Sequence, residues 1–224
     1  MDTGSATTPG SRHARPEEDP ADDPAVTDQH RRGRILSGLT TCIAEKGYNA
    51  TTITDIARAA RVSKTVVYTH FRGGKEDMLL ELYSRATEGV LAVLTGAADR
   101  TREEGLPWRT RLVEVTRAHL AWLAAGPAVA RALVVEVPAV GLSALPRRRA
   151  VLDRYVDVLA ETSAELAVSH PEEVRPLSRE LLRAVVGGIN ELILARVERG
   201  EADRLAEDAE LAASLLIGML ERRS

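Results

Sequence analysis

The chain reads as an all-α protein, and three observations predict it. Apolar residues recur three and four positions apart through most of its 224 residues, the spacing of one helix face. Ala, Leu, Arg and Glu dominate, and these residues lose little freedom in a helix. Valines are common but scattered, without the strict alternation that marks strands. Hydrophobic residues make up 44% and charged residues 28%, a globular rather than a disordered balance.

About nine helices follow in order. Residues 1–28, rich in Pro, Asp, Thr, Ala and Gly and without periodicity, read as a disordered tail. A first helix is predicted over 27–46, because Ile35, Leu39, Cys42 and Ile43 share one face. Gly47 stands where a left-handed stop belongs. Gly38, inside that helix, costs about 1 kcal/mol relative to Ala, which argues for a close helix contact there. Thr52 is an N-cap with Asp55 three residues on, and it opens a short helix lined by Ile53, Ile56, Ala57 and Ala60. The chain turns at Ala60-Arg61-Val62. Ser63 then caps a third helix, held inward by Val67 and Phe71 and ended by Gly73-Gly74. A long amphipathic helix is expected from Lys75 to Arg100. Further helices are expected over 107–125, 127–137, 146–168, 171–199 and 205–222, set off by Gly and Pro.

The net charge of −3 conceals an uneven distribution. Residues 1–28 carry seven acids against two arginines, whereas residues 29–76 carry nine bases against the three acids Glu45, Asp55 and Glu76. A basic block in an acidic chain points to an anionic partner. The single cysteine, Cys42, excludes an internal disulfide framework and sits in an apolar row as a buried thiol. No signal-peptide pattern opens the chain and no apolar run of ~18 residues occurs, so a cytoplasmic location without membrane contact is expected. A nucleophile elbow, a Gly-rich phosphate loop, paired cysteines and an HExxH pattern are all missing, so neither enzyme activity, metal nor cofactor is expected.

Two short helices joined by a tight turn inside the basic block form a helix-turn-helix over about 52–71. In that motif the second helix enters the major groove of double-stranded DNA. With Val67 and Phe71 facing inward, Lys64, Thr65, Tyr68, Thr69 and His70 remain for phosphates and base edges. The capped ends at Thr52 and Ser63 offer unpaired amides to phosphate.

The run ILSGLTTCIAEKGYNATTITDIARAARVSKTVVYTHFRGGKEDMLLELY resembles the DNA-binding domain of TetR-type transcriptional regulators. The matches are Ile35-Leu36, Glu45-Lys46-Gly47-Tyr48, Thr51-Thr52, Asp55-Ile56-Ala57, Val62-Ser63, Tyr68, His70-Phe71 and Lys75-Glu76. The resemblance implies a three-helix head over 29–75 and an effector-binding and dimerisation bundle over 76–224. It implies that Thr52, Lys64, Thr65, Tyr68, Thr69, His70 and Lys75 meet DNA, and that a homodimer reads a near-palindromic operator, most simply as a repressor. An activator of the same family, or a helical ligand carrier that no longer binds DNA, is the alternative.

Three departures stand out. Arg61 occupies a turn position that usually holds Gly, and a left-handed backbone there strains it. Thr65-Val66 shifts one hydroxyl and puts Val66 where it can touch a thymine methyl. The Arg72-Gly73-Gly74 link is one residue longer than usual.

Beyond Tyr83 the resemblance weakens. Its last two helices, 171–199 and 205–222, would pair with a second copy. Val185, Val186, Ile189, Leu192, Ile193 and Val197 form a wide apolar stripe there, opposite Leu211, Leu215, Leu216, Met219 and Leu220. Helices between Leu106 and Val168 would hold a small, largely apolar effector, with Trp108, His119, Trp122, Arg131, Glu136 and Tyr155 as its candidate contacts.

Overall fold

A computed structural model describes residues 24–222, and among these only helices, turns and one isolated bridge occur. Helix α1 runs Pro24–Ala50, and Gly47, at φ 77°, breaks its geometry at the predicted stop. Of the tail expected over 1–28, residues 1–23 lie outside the described residues. The remainder is helical, which corrects that boundary: Pro24 sits in the first helical turn, where a missing N–H costs nothing. One turn on, Asp28 pairs with His70 at 3.0 Å.

Helix α2 (Ile53–Ala59) begins in a reciprocal capping box between Thr52 and Asp55, and α3 (Lys64–His70) begins at Ser63, whose hydroxyl accepts from the Val66 amide. Between them Arg61 adopts φ 54°. A left-handed backbone costs a non-glycine residue about 1–2 kcal/mol. The surrounding bonds hold it: Val62 N–H donates to Ala57 O at 2.9 Å, and Arg34 Nη2 donates to Ala60 O at 2.7 Å. Gly38 permits the close approach of α1 to α2, because a Cβ there would stand 3.0 Å from both Ala60 N and Ile56 O.

Helix α4 (Lys75–Glu103) leads out of this head. The head core does not end at Lys75. Ile35, Ile56, Val67 and Phe71 pack with Met78 and Leu79 of α4, and also with Ala132, Val137 and Val151 much later in the chain. Head and bundle therefore share one buried cluster.

Helix α5 (Trp108–Ala124) is followed by α6 (Pro127–Arg131), a π-helical turn Ala132–Glu136 and α7 (Val137–Ala139). The run continues through Pro138, where the sequence predicts a stop. Proline lacks the N–H that an α register needs. The chain accommodates it by widening: Val137 N–H donates five residues back, to Ala132 O.

Helix α8 (Leu145–Ser169) ends at the predicted His170-Pro171 break. Helix α9 spans Arg179–Glu198, not 171–199. Pro171 and Pro176 keep the intervening segment out of helix, and Ser178 supplies the true N-cap. Val174 instead bridges Glu221. A 3-10 turn (Ala202–Asp208) precedes α10 (Ala209–Leu220), which corrects the expected 205–222.

The wide stripe on α9 is largely used within the chain. Val185, Val186, Ile193, Val197, Leu216 and Leu220 are all buried in its own core. The large apolar residues that α9 and α10 leave exposed are Leu181 (41%) and Leu211 (56%), and the small residues Ala184, Ser214 and Gly218 are exposed on the same helices. Among the described residues no single helix is long and apolar enough to cross a membrane.

Candidate nucleic-acid interface and ligand cavity

The outer face of α3 follows from its inner one. Val67 is fully buried, so the residues around it on the helix point away from the core. Thr52, Ser63, Lys64, Thr65 and Thr69 are exposed, and Tyr68 is 50% exposed although aromatic. Thr69 spends its hydroxyl proton on Thr65 O at 2.9 Å, leaving a lone pair outward.

Three residues expected on this face behave otherwise. The His70 ring is only 6% exposed and pairs through Nδ1 with Asp28, while Arg32 Nη1 donates to His70 O at 2.9 Å. Lys75 turns inward: its Nζ donates to Tyr48 O at 2.7 Å and Thr51 O at 2.9 Å, and lies 4.2 Å from the Tyr48 ring. Burial lowers its pKa, and Glu136 opposes that shift. Val66 is half-buried against the head core. Their partners satisfy them, so they brace α3 more than they extend it.

Asp55 links two elements of the head. Its carboxylate accepts from the Thr52 amide at 3.0 Å and pairs with Lys46 at 2.6 Å and with Arg58 at 2.6 Å. The Lys46 ammonium first, then the Thr52 hydroxyl and amide, hold it far below the usual carboxylate range.

A second feature lies in the bundle. A cavity of about 740 Å³ is lined by α4, α5, α8, α9, α10 and the α6–α7 run. Trp108, His119 and Tyr155 line it, as expected. His119 and Tyr155 stack with ring centroids 6.1 Å apart. His119 is partly exposed where it lines the cavity, and desolvation by its neighbours pulls its pKa down to about 4, so the ring is neutral at pH 7. Burial raises Tyr155 as well, and pushes Tyr83 up to about 12. Among the described residues no protein group hydrogen-bonds the side chains of His119, Tyr155 or Tyr83, whereas Trp108 Nε1 donates to Glu173 Oε2 at 3.1 Å.

Trp122, Arg131 and Glu136 lie outside the cavity wall. Trp122 covers Gly89, where a Cβ would stand 2.7 Å from its ring. Arg131 Nε donates to Glu136 Oε1 at 2.9 Å, so the two satisfy each other. At the cavity rim Arg102 pairs with Glu165 at 3.0 Å and Arg111 with Glu165 at 3.3 Å, joining α4, α5 and α8. Sequence reasoning passes over this trio because charged residues on helices read as solvated surface. Among the described residues no group of His, Cys, Asp and Glu could hold a metal ion.

Residues 35–82 match the family model of bacterial regulatory proteins of the tetR family. That match covers the DNA-facing head and the start of α4. The TetR-type head is similar to the HTH-type transcriptional regulator HbdR of Aromatoleum sp. (strain CIB), 44% identical over 57 residues, a match spanning 25% of this chain and 24% of that protein. The likeness to the HTH-type transcriptional repressor Rv1474c of Mycobacterium tuberculosis is longer: 28% identity over 202 residues, 84% of this chain and 95% of the relative. The fold matches that of the regulator FadR from Bacillus subtilis, solved with stearoyl-CoA, at TM-score 0.69 and 22% identity, covering 84% of this chain and 98% of that one. FadR from Bacillus halodurans matches at TM-score 0.70 and 22% identity, over 86% and 97% of the two chains. In this chain the basic head and the apolar cavity meet through the core that α4 and the α6–α7 run share.

Proposed function

We propose that the chain is a ligand-responsive repressor that binds a near-palindromic operator as a homodimer in the cytoplasm. The observation that carries this is the outward polar face of α3, with Tyr68 half-exposed beside Lys64, Thr65 and Thr69. Tyr68 takes no part in the head core, and half of its surface is left in water. On DNA it gives a hydroxyl to phosphate and a ring edge to the groove. Thr52 and Ser63 add phosphate contacts from the capped helix ends. The head over 29–75 reads the DNA. The bundle over 76–224 binds effector and pairs with its twin through α9 and α10.

The cavity takes a largely apolar molecule with one polar group. Its wall is mostly aliphatic, and the unpaired polar atoms of His119, Tyr155 and Tyr83 converge on it. The stearoyl-CoA bound by the Bacillus subtilis relative makes a long acyl chain the first probe. Binding shifts DNA affinity only if the ligand prefers one conformation.

The experiment is a gel shift with duplexes selected from genomic fragments, at rising salt and with stearoyl-CoA. The expected result is a salt-steep complex, weakened roughly tenfold, about 1.4 kcal/mol, by Tyr68→Ala and released by the ligand. A folded dimer that ignores every selected duplex at low salt overturns the proposal.

A further inference from the structure

The segment from Ala130 to Pro138 faces two ways. Leu133, Val134 and Pro138 line the cavity. Ala132 and Val137 are buried in the head core, and Leu133 packs against that core and against the bundle core as well. Glu136 projects toward the head and is only 4% exposed. Its Oε1 accepts from Arg131 Nε and lies 3.5 Å from the Tyr48 amide. A Cβ on Gly47 would stand 4.0 Å from the same oxygen. On the other side of Tyr48, Lys75 Nζ holds the carbonyls of Tyr48 and Thr51. Thr51 immediately precedes the N-cap of α2. A buried carboxylate from the bundle thus stands against the corner where α1 ends and α2 begins.

The backbone that carries it is a π turn. Such turns hold one residue more per bond ring than an α-helix and are frequent at functional sites. Exchanging one register for the other rotates the side chains that follow by about 100°. The bonds around Glu136 and those lining the cavity therefore cannot both be kept if the turn changes register. A buried carboxylate needs partners: Arg131 supplies the charge from the same segment, and the Tyr48 amide reaches it from the head.

We propose that Glu136 is a positioning residue that transmits the state of the cavity to the DNA-facing head. A molecule pressing on Leu133 and Val134 shifts the π turn, the turn moves Glu136, and Glu136 releases the α1–α2 corner that seats α3. This rests on the reading of the cavity as the effector site.

The test needs neither DNA nor an identified ligand. Leu133→Trp fills the cavity face of the turn. Amide hydrogen exchange over residues 47–55 is measured in the full-length chain, with Leu133→Trp placed in wild-type, Glu136→Ala and Glu136→Gln backgrounds. The expected result is an increase of about fivefold or more in wild type, a scale set by ordinary coupling between sites. The increase vanishes in Glu136→Ala and returns in Glu136→Gln, which keeps an acceptor for the Tyr48 amide. Should Glu136→Ala fail to fold, Glu136→Leu fills the same space without an acceptor and is expected to give the same loss. An unchanged wild-type response to Leu133→Trp overturns the relay, and so does an equal response in every background. Failure of the effector reading shows separately, as absence of stearoyl-CoA binding, and leaves the exchange result standing.

Discussion

Single residues divide sharply by the reach of their partners. The Thr52–Asp55 capping box, the left-handed Gly47 and the strained Arg61 were all legible, because each depends on neighbours within a few positions. The inward partners of Lys75 and His70 were not legible, because Tyr48 and Thr51 for one and Asp28 for the other are distant in sequence. Arg61→Gly relieves the positive φ and is expected to stabilise the head by up to about 1 kcal/mol, the strain less the entropy that Gly adds to the unfolded chain. Urea unfolding of both proteins checks this, and a lower midpoint for the glycine variant would contradict it. His119 makes a pH prediction. Its pKa is about 4 folded and about 6.5 unfolded. The depressed value means that the unfolded chain takes up the proton first. Stability is therefore full above about pH 6.5 and falls as pH drops toward 4, by about 1.4 kcal/mol per unit. Between pH 7 and 5 the loss reaches about 2 kcal/mol, and His119→Gln should flatten the curve. Unfolding at the two pH values and fixed protein concentration decides it.

Elements were legible in type more than in extent. Periodicity located α1 to α4 because one apolar face suffices to define an amphipathic helix. Boundaries failed where proline acts over a distance, at Pro176 ahead of α9 and at Pro138, which the π turn absorbs instead of stopping. Gly38 shows how an element can be read from a defect: a glycine in mid-helix asked for a close contact, and α2 supplies it. Gly38→Ala forces a methyl against the α2 backbone, which has no flexible end to yield. It is expected to destabilise the head by about 1–3 kcal/mol despite the better helix propensity of Ala. Thermal melts decide the sign, and a gain in stability would show that α1 and α2 can separate at no cost.

At the scale of the whole molecule, the proposed twofold interface must use what the chain's own core leaves over. Among its apolar residues that remainder holds Leu181 and Leu211, with the small residues Ala184, Ser214 and Gly218 exposed on the same two helices. Leu211→Arg puts like charges on both sides of a twofold axis and is expected to shift the dimer to monomer at micromolar concentration. Light scattering would read the mass, and an unchanged dimer would remove α10 from the interface. The all-helical class, the three-helix head and its basic charge were present in the residues alone, since each rests on local periodicity, capping and composition. Which polar side chains stay free for DNA, which of six candidates reach the cavity, and that Glu136 faces the head were decided only by the packed fold. Those outcomes depend on contacts between helices far apart in the chain, and a spacing of three or four residues says nothing about what will stand opposite.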